Sequence, residues 1–278
     1  MSGPLFATVI VAAVACLFAW SASLVTGDTS WVDRSWSIVP VIYVWIFASY
    51  AGLANARLDV MAVLVTLWGA RLTFNFARKG GYRGVEDYRW AVLRSRMRPW
   101  QFQLFNVFFI VLYQNAILVL ITLPAYSAYD DRSRTPFGAL DVVLAALFLL
   151  AIVFETIADE QQWNFQSEKQ ARLTRGEHPS ERFCTTGLFR YSRHPNYFFE
   201  VALWWVLFLF GAVAAHSLWQ GTVLGAVLLT LLFVGSTSFT EDITLSKYPE
   251  YADYQRRTSA VVPWFAKDAP APSSVTAP

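Results

Sequence analysis

The segment Arg190–Glu200, RYSRHPNYFFE, packs two arginines, a histidine, an asparagine, two tyrosines and a glutamate into eleven residues. It stands directly before an uncharged, mostly apolar run, Val201–Thr240. So dense a polar cluster at the mouth of a membrane span is costly unless it is paired or holds a ligand. His194-Pro195 adds geometry. Proline fits the first turn of a helix, and the residue before it is kept out of helix. The cluster is therefore expected where a loop becomes a membrane helix, its side chains and free N–H groups facing one small volume suited to an anionic cofactor. Asn196 and Glu200, four apart, share a helical face. A buried Glu200 beside Arg193 points to a charge pair or to hydrogen bonds with a ligand amide. The competing reading is a solvated basic loop that only sets topology.

Three further constellations carry polar chemistry. Asp159, Glu160, Gln162 and Asn164 are expected to end the fifth helix, before a linker with Arg172, Arg175 and Arg182. Glu241 and Asp242 close the last span, and Tyr248, Tyr251 and Tyr254 then recur every three residues. Those tyrosines fit an amphipathic interfacial helix equally well. Trp68-Gly69-Ala70-Arg71 leads through Asn75 to Glu86–Trp90, EDYRW; Arg71 is the one basic residue inside a predicted span, where charge is functional unless it snorkels. Glu86, Asp87, Arg89 and Arg94 could also form plain surface ion pairs. Asp33-Arg34, between Trp31 and Trp36, offers an acid or a capping group. The histidines 178, 194 and 216 lie far apart, so no metal-ligand spacing stands out. There is no GxGxxG and no P-loop, and a nicotinamide cofactor would not sit on a Rossmann unit.

The elements that must position these groups follow from composition. The chain is 55% hydrophobic and 15% charged, with mean hydropathy +0.38, against about 25% charged in soluble domains. A net charge of +2 is too small to point to nucleic acid. Cys16, in an apolar span, and Cys184, in a polar loop, are not expected to pair. The class is all-α: a polytopic membrane protein with about seven transmembrane helices near 4–26, 37–56, 58–77, 103–124, 138–158, 199–214 and 218–240. The last two come from one run broken at Ala215-His216-Ser217, because forty residues exceed one span of about 20; a re-entrant hairpin is the alternative. Basic residues crowd 78–102, 159–200 and the tail, while the opposite loops hold Arg57, Arg132 and Arg134. The positive-inside rule then sets the N-terminus outside, and the C-terminus and all polar clusters in the cytoplasm. Residues 1–266 read as a single domain, its half 138–266 carrying the main motifs, and 267–278 as a disordered tail. Alanine content and short loops favour a bacterial inner membrane over endoplasmic reticulum.

GLFRYSRHPNYFFE (187–200), followed by Trp204-Trp205, resembles the C-terminal half of the steroid 5-alpha-reductase-like membrane proteins, and most closely their uncharacterised subgroup. ADEQQWNF (158–165), WGARLTFNFARKG with EDYRW (68–90), and YPEYADYQRRTSAVVPWF (248–265) extend the resemblance to about residues 30–265. The central motif marks a superfamily, since sterol reductases and isoprenylcysteine carboxyl methyltransferases share forms of it. The resemblance implies NADPH held by Arg71, Asp159, Arg193, His194, Asn196, Tyr197, Glu200, Glu241, Tyr251 and Tyr254; Asp87 and Arg89 of the EDYRW loop are added as cofactor-binding candidates. The methyltransferase members typically lack the Asn–Glu pair after His-Pro, so Asn196 and Glu200 favour a reductase. One departure stands out. Where steroid reductases place a tyrosine that polarises the substrate carbonyl, this chain has Trp68, whose indole N–H supplies no proton. Asp33 lies roughly where their second acid falls, and would need a pKa raised by burial; Tyr88 and Tyr82 are the fallbacks.

The expected activity is NADPH-dependent reduction of a conjugated C=C bond in a steroid- or isoprenoid-like substrate drawn from the bilayer. Arg193 and Arg89 would meet the phosphates, and Asn196 with Glu200 the nicotinamide carboxamide. Two other readings stay open. One is an S-adenosylmethionine-dependent methyltransferase, which needs no proton donor. The other is a non-catalytic lipid-binding membrane protein.

Overall fold

The computed structural model describes residues 3–131, 135–177 and 179–267. Arg132, Arg134, His178 and the tail beyond Lys267 lie outside them. Every element among the described residues is helical: α1 (Gly3–Thr26), α2 (Trp31–Trp36), α3 (Val39–Tyr50), α4 (Ala56–Arg78), α5 (Tyr88–Arg96), α6 (Pro99–Phe105), a π-helical stretch (Asn106–Tyr113), α7 (Gln114–Asp130), α8 (Ala139–Thr174), α9 (Pro195–Ala215), α10 (Val223–Lys247) and α11 (Tyr251–Arg257). The one extended pairing there is a bridge between Ser192 and Ser259. The protein is thus an all-helical polytopic membrane protein.

Among the described residues, six stretches are long and apolar enough to cross a bilayer: α1, α4, Pro99–Asp130, α8, α9 and α10. The expected span 37–56 is the exception. Pro40 marks the start of α3, and Gly52 and Leu53, at φ 73° and 54°, turn the chain after Tyr50. Twelve residues reach only about 18 Å, against a hydrocarbon core of about 30 Å. Even so, α3 lies antiparallel along α4: Ser37 bonds Thr73 at 2.7 Å and Trp45 donates to Thr66 at 2.9 Å.

Other boundaries moved too. The fifth helix does not end near Asp159; α8 continues to Thr174. Hydropathy falls after Ile157, but Glu, Gln, Lys, Ala, Arg and Leu are strong helix formers, and no Gly or Pro intervenes before Gly176. Apolarity marks where the lipid ends, not where the helix does. α9 starts at Pro195, as the His-Pro step requires, and ends at the anticipated break, where His216 takes φ 51°. α10 starts later than expected and carries Glu241 inside its last turns.

The chain divides into two compact units, residues 1–152 with 201–232, and residues 153–200 with 233–278. The first has a core of Tyr43, Phe47, Met61, Trp68, Ile117 and Phe210, all fully buried. Around it, only 11% of the α1 span is buried. An aqueous monomer rarely exposes so much contiguous apolar surface, whereas lipid solvates it. In lipid, helices associate by close van der Waals contact between small residues. A Cβ on Gly225 would fall 2.3 Å from the Leu120 carbonyl oxygen, and one on Gly211 2.8 Å from that of Pro124. Glycine there lets α9 and α10 approach the α7 backbone. The second unit comprises the polar end of α8, the 175–194 loop, the first turns of α9, the last turns of α10, α11 and a strap over 258–267.

Candidate functional site

In the second unit, α8 and the C-terminal strap shape the loop that leads into α9. Gln161 of α8 accepts from Leu188 N at 2.9 Å. The same side chain lies 2.4 Å from where a Cβ on Gly187 would be, and Gly187 itself sits at φ 62°. The positive φ favours glycine at that turn. Phe189 packs with Ala158 and Cys184. From Ser192 onward the strap supplies the partners: Arg193 N donates to Ser259 O at 2.8 Å and His194 N to Ala260 O at 3.0 Å. Ser192 Oγ donates to Val261 O at 2.7 Å. His194 is thereby held outside the helix that Pro195 begins.

Glu241 is the hub of this unit. It takes Arg193 in a bidentate pair, Nε–Oε1 2.6 Å and Nη2–Oε2 2.8 Å. It also meets His194 Nε2 at 3.0 Å, Tyr251 OH at 3.3 Å and Gln255 Nε2 at 2.8 Å. Arg193 Nη1 donates to the carbonyls of Gln255 and Thr258. Arg193 therefore pairs with Glu241 rather than with Glu200, and its guanidinium is engaged on every nitrogen. That geometry corrects the expected Arg193–Glu200 pair. Burial within the hub also pushes Tyr251 up, with the Glu241 charge adding to it. Tyr254 is likewise raised by burial and donates to Phe189 O. Both rings are buried and pack on Phe183, so they form an inner aromatic cluster and not an interfacial belt. Tyr248 precedes α11, its ring beneath Lys169 Nζ at 4.9 Å.

Asn196 and Asp159 meet across α8 and α9. Asn196 Nδ2 donates to Asp159 Oδ1 at 3.4 Å, a long bond. Asp159 and Glu200 are each 4% exposed, and Glu200 lies one helical turn beyond Asn196. Tyr197 stacks on His194, ring centroids 5.1 Å apart, and meets Phe233 edge-on. Three residues of this unit carry no signal singled out in the sequence. Gln161 and Gln255 are neutral, and nothing in their spacing marks them. Glu155, 4% exposed and one turn before Asp159, is a buried acid that the intramembrane-charge rule could have found.

The first unit holds the remaining candidates. Asp33 on α2 accepts from Trp90 Nε1 at 2.9 Å. Burial pushes its carboxyl up and the Asp87 charge adds to this, against the Trp90 hydrogen bond and the Arg89 charge. Asp87 caps α5 through Arg89 N and pairs with the Arg89 side chain at 2.8 Å. Glu86 pairs with Arg94 at 2.7 Å and accepts from Thr29 N and Oγ1, each at 2.9 Å. The plain ion-pair reading of this loop thus describes its geometry. Tyr88 is 49% exposed, Tyr82 OH donates to Arg34 O, and Arg71 sits half-buried on α4. Trp68 is fully buried, edge-on to Trp204 with centroids 4.8 Å apart, which makes it a core residue.

Asp33 yields a pH prediction. Its native carboxyl holds a proton to higher pH than the unfolded chain's, near about 3.9. The stability linked to it is complete below that value and lost as pH rises through the native one. Asp33→Asn, which cannot ionise, is expected to raise the melting temperature at neutral pH, the gain fading under acid. Melting curves from pH 4 to 8 check this; a loss of stability at neutral pH would show the charged form to be needed.

A helical membrane fold with these buried polar groups on α8, α9 and α10 defines the class. Residues 19–258 match the DUF1295 family of proteins of unknown function, and the chain belongs to that family. It is 39% identical over 258 residues to an uncharacterized protein of Schizosaccharomyces pombe, covering 88% of this chain and 75% of the relative. No solved structure matches.

Proposed function

We propose that this protein is a membrane-embedded reductase that uses NADPH to reduce a conjugated C=C bond in a lipophilic substrate. One observation carries the reading: an amide on α9, Asn196, bonds a buried carboxylate on α8, Asp159, and a second buried carboxylate, Glu200, follows one turn on along α9. A carboxamide both donates and accepts, and this set offers it both. The resemblance of GLFRYSRHPNYFFE to steroid 5-alpha-reductase-like proteins supports the same assignment. With Arg193 committed to Glu241, the phosphates fall to exposed cations of the second unit, Arg190, Arg256 and Arg257. Bound NADPH would supply the hydride. Asn196 and Glu200 would orient the carboxamide, a positioning role in which most of the rate gain resides. Asp33, whose carboxyl burial pushes up, is the acid assigned to the substrate carbonyl. The substrate enters from the bilayer, and the basic loops and C-terminus face the cytoplasm.

Direct binding of NADPH, NADH and S-adenosylmethionine to the detergent-purified protein tests this. Asn196→Ala and Glu200→Gln are each expected to weaken NADPH binding by roughly ten- to a hundredfold, the range for hydrogen bonds involving charged groups. Wild-type affinity in both would refute the assignment. Buried Trp68 favours one alternative, a methyltransferase, because that chemistry needs no proton donor at its position. Binding of S-adenosylmethionine alone would select it, and Asp33→Asn would then leave turnover unchanged.

A further inference from the structure

α10 is rich in hydroxyls, and most of them take the partner that a helix itself provides. Thr230 donates to Ala226 O at 2.7 Å, Ser238 to Val234 O at 3.2 Å, Thr244 to Thr240 O at 2.9 Å and Ser246 to Ile243 O at 2.8 Å. Such back-bonding is the default wherever an apolar medium offers no water. Thr237 and Thr240 depart from it: their Oγ1 atoms are buried and have no hydrogen-bond partner among the described residues. Thr237 is only 5% exposed. A hydroxyl left in this state is penalised, so rotamers that decline the available carbonyl call for another partner.

The stripe they occupy says where that partner lies. At about 100° per residue, Phe233, Thr237, Thr240, Glu241 and Thr244 share an arc of roughly 100° on α10. Phe233 meets Tyr197, and Glu241 meets Arg193 and His194. Thr237 and Thr240 therefore lie on the face that looks at the start of α9, level with the stacked His194 and Tyr197 rings. The cation of this stripe, Arg193, is spent on Glu241 and two carbonyls. What fits two neutral hydroxyls there is a neutral hydrogen-bonding group.

We infer that Thr237, with Thr240 beside it, is a ligand-binding residue that hydrogen-bonds a neutral group of the dinucleotide, a ribose hydroxyl or the carboxamide. The inference rests on the NADPH reading and adds α10 to the α8 and α9 residues that carry it. Thr237→Val keeps the shape and removes the hydroxyl; Thr237→Ser keeps the hydroxyl. The test measures NADPH affinity and ligand-free melting temperature for wild type and both variants in detergent. The expected result is roughly three- to tenfold weaker NADPH binding in Thr237→Val, near wild-type binding in Thr237→Ser, and a ligand-free melting temperature in Thr237→Val equal to or above wild type. Unchanged affinity in Thr237→Val while wild type binds NADPH would overturn the inference and leave the reductase reading standing. A lowered ligand-free melting temperature in Thr237→Val would also overturn it, because the hydroxyl would then have a protein partner. Failure of wild type to bind NADPH removes the reductase reading and this inference together.

Discussion

Glu241→Met is expected to cost about 3–5 kcal/mol of stability, the range for removing one partner of a buried ion pair. The Arg193 and Glu241 side chains are 9% and 8% exposed. Without the carboxylate, Nε and Nη2 of Arg193 lose their acceptors, and His194, Tyr251 and Gln255 each lose one. Arg193→Met should cost a similar amount by stranding Glu241. The double variant Arg193→Met/Glu241→Met should recover much of the loss, because an apolar pair of similar volume carries no buried charge. Thermal unfolding of the four proteins in one detergent measures the cycle. Single variants within about 1 kcal/mol of wild type would place the pair in the class of weak surface bridges. Loosening this hub should also free the strap from Ser192–His194, so NADPH affinity is expected to fall with stability in Glu241→Met.

Arg57→Met should be as damaging in the first unit. Arg57 and Asp141 are 2% and 1% exposed and bond in a bidentate pair at 2.6 and 2.8 Å. Arg57 also donates to the carbonyls of Thr135 and Pro136, each at 3.1 Å, and Asp141 accepts from Gly138 N at 2.9 Å. The arginine thus ties the start of α4 to the turn that opens α8. Its loss strands a carboxylate and two carbonyls, for about 3–5 kcal/mol. Arg57→Lys should rescue little, because an ammonium cannot reproduce the planar fork. Full rescue by lysine would sink the bidentate account. Because the Arg57 cluster shares no partner with the Glu241 hub, the two losses should add.

Much was settled by the order of residue types alone. Long apolar runs in a chain with few charges demand helices, because backbone groups in lipid must bond within their own segment. Pro195 dictated where α9 begins, since it lacks an N–H and keeps its predecessor out of helix. The break at His216 was legible because forty apolar residues cannot make one span. The grouping of Asn196 with Glu200 followed from their spacing of four on a helix that could be placed.

Other features depended on partners far away in the chain, about which local pattern is silent. α3 stops short of a span because of two backbone angles at Gly52 and Leu53, in a run whose apolarity reads straight through. α8 outlasts its apolar stretch, since helix propensity and lipid solubility are separate properties. Arg193 had two acidic candidates, Glu200 seven residues on and Glu241 forty-eight residues on, and charge alone does not choose between them. Packing of the last turns of α10 beside the start of α9 chose Glu241. The same packing turned Tyr251 and Tyr254 inward. Sequence thus determined the solvent of this protein, its helices and its polar residues. Only the tertiary structure decided which of those residues are spent on one another and which, like Thr237, keep a buried group with no partner among the described residues.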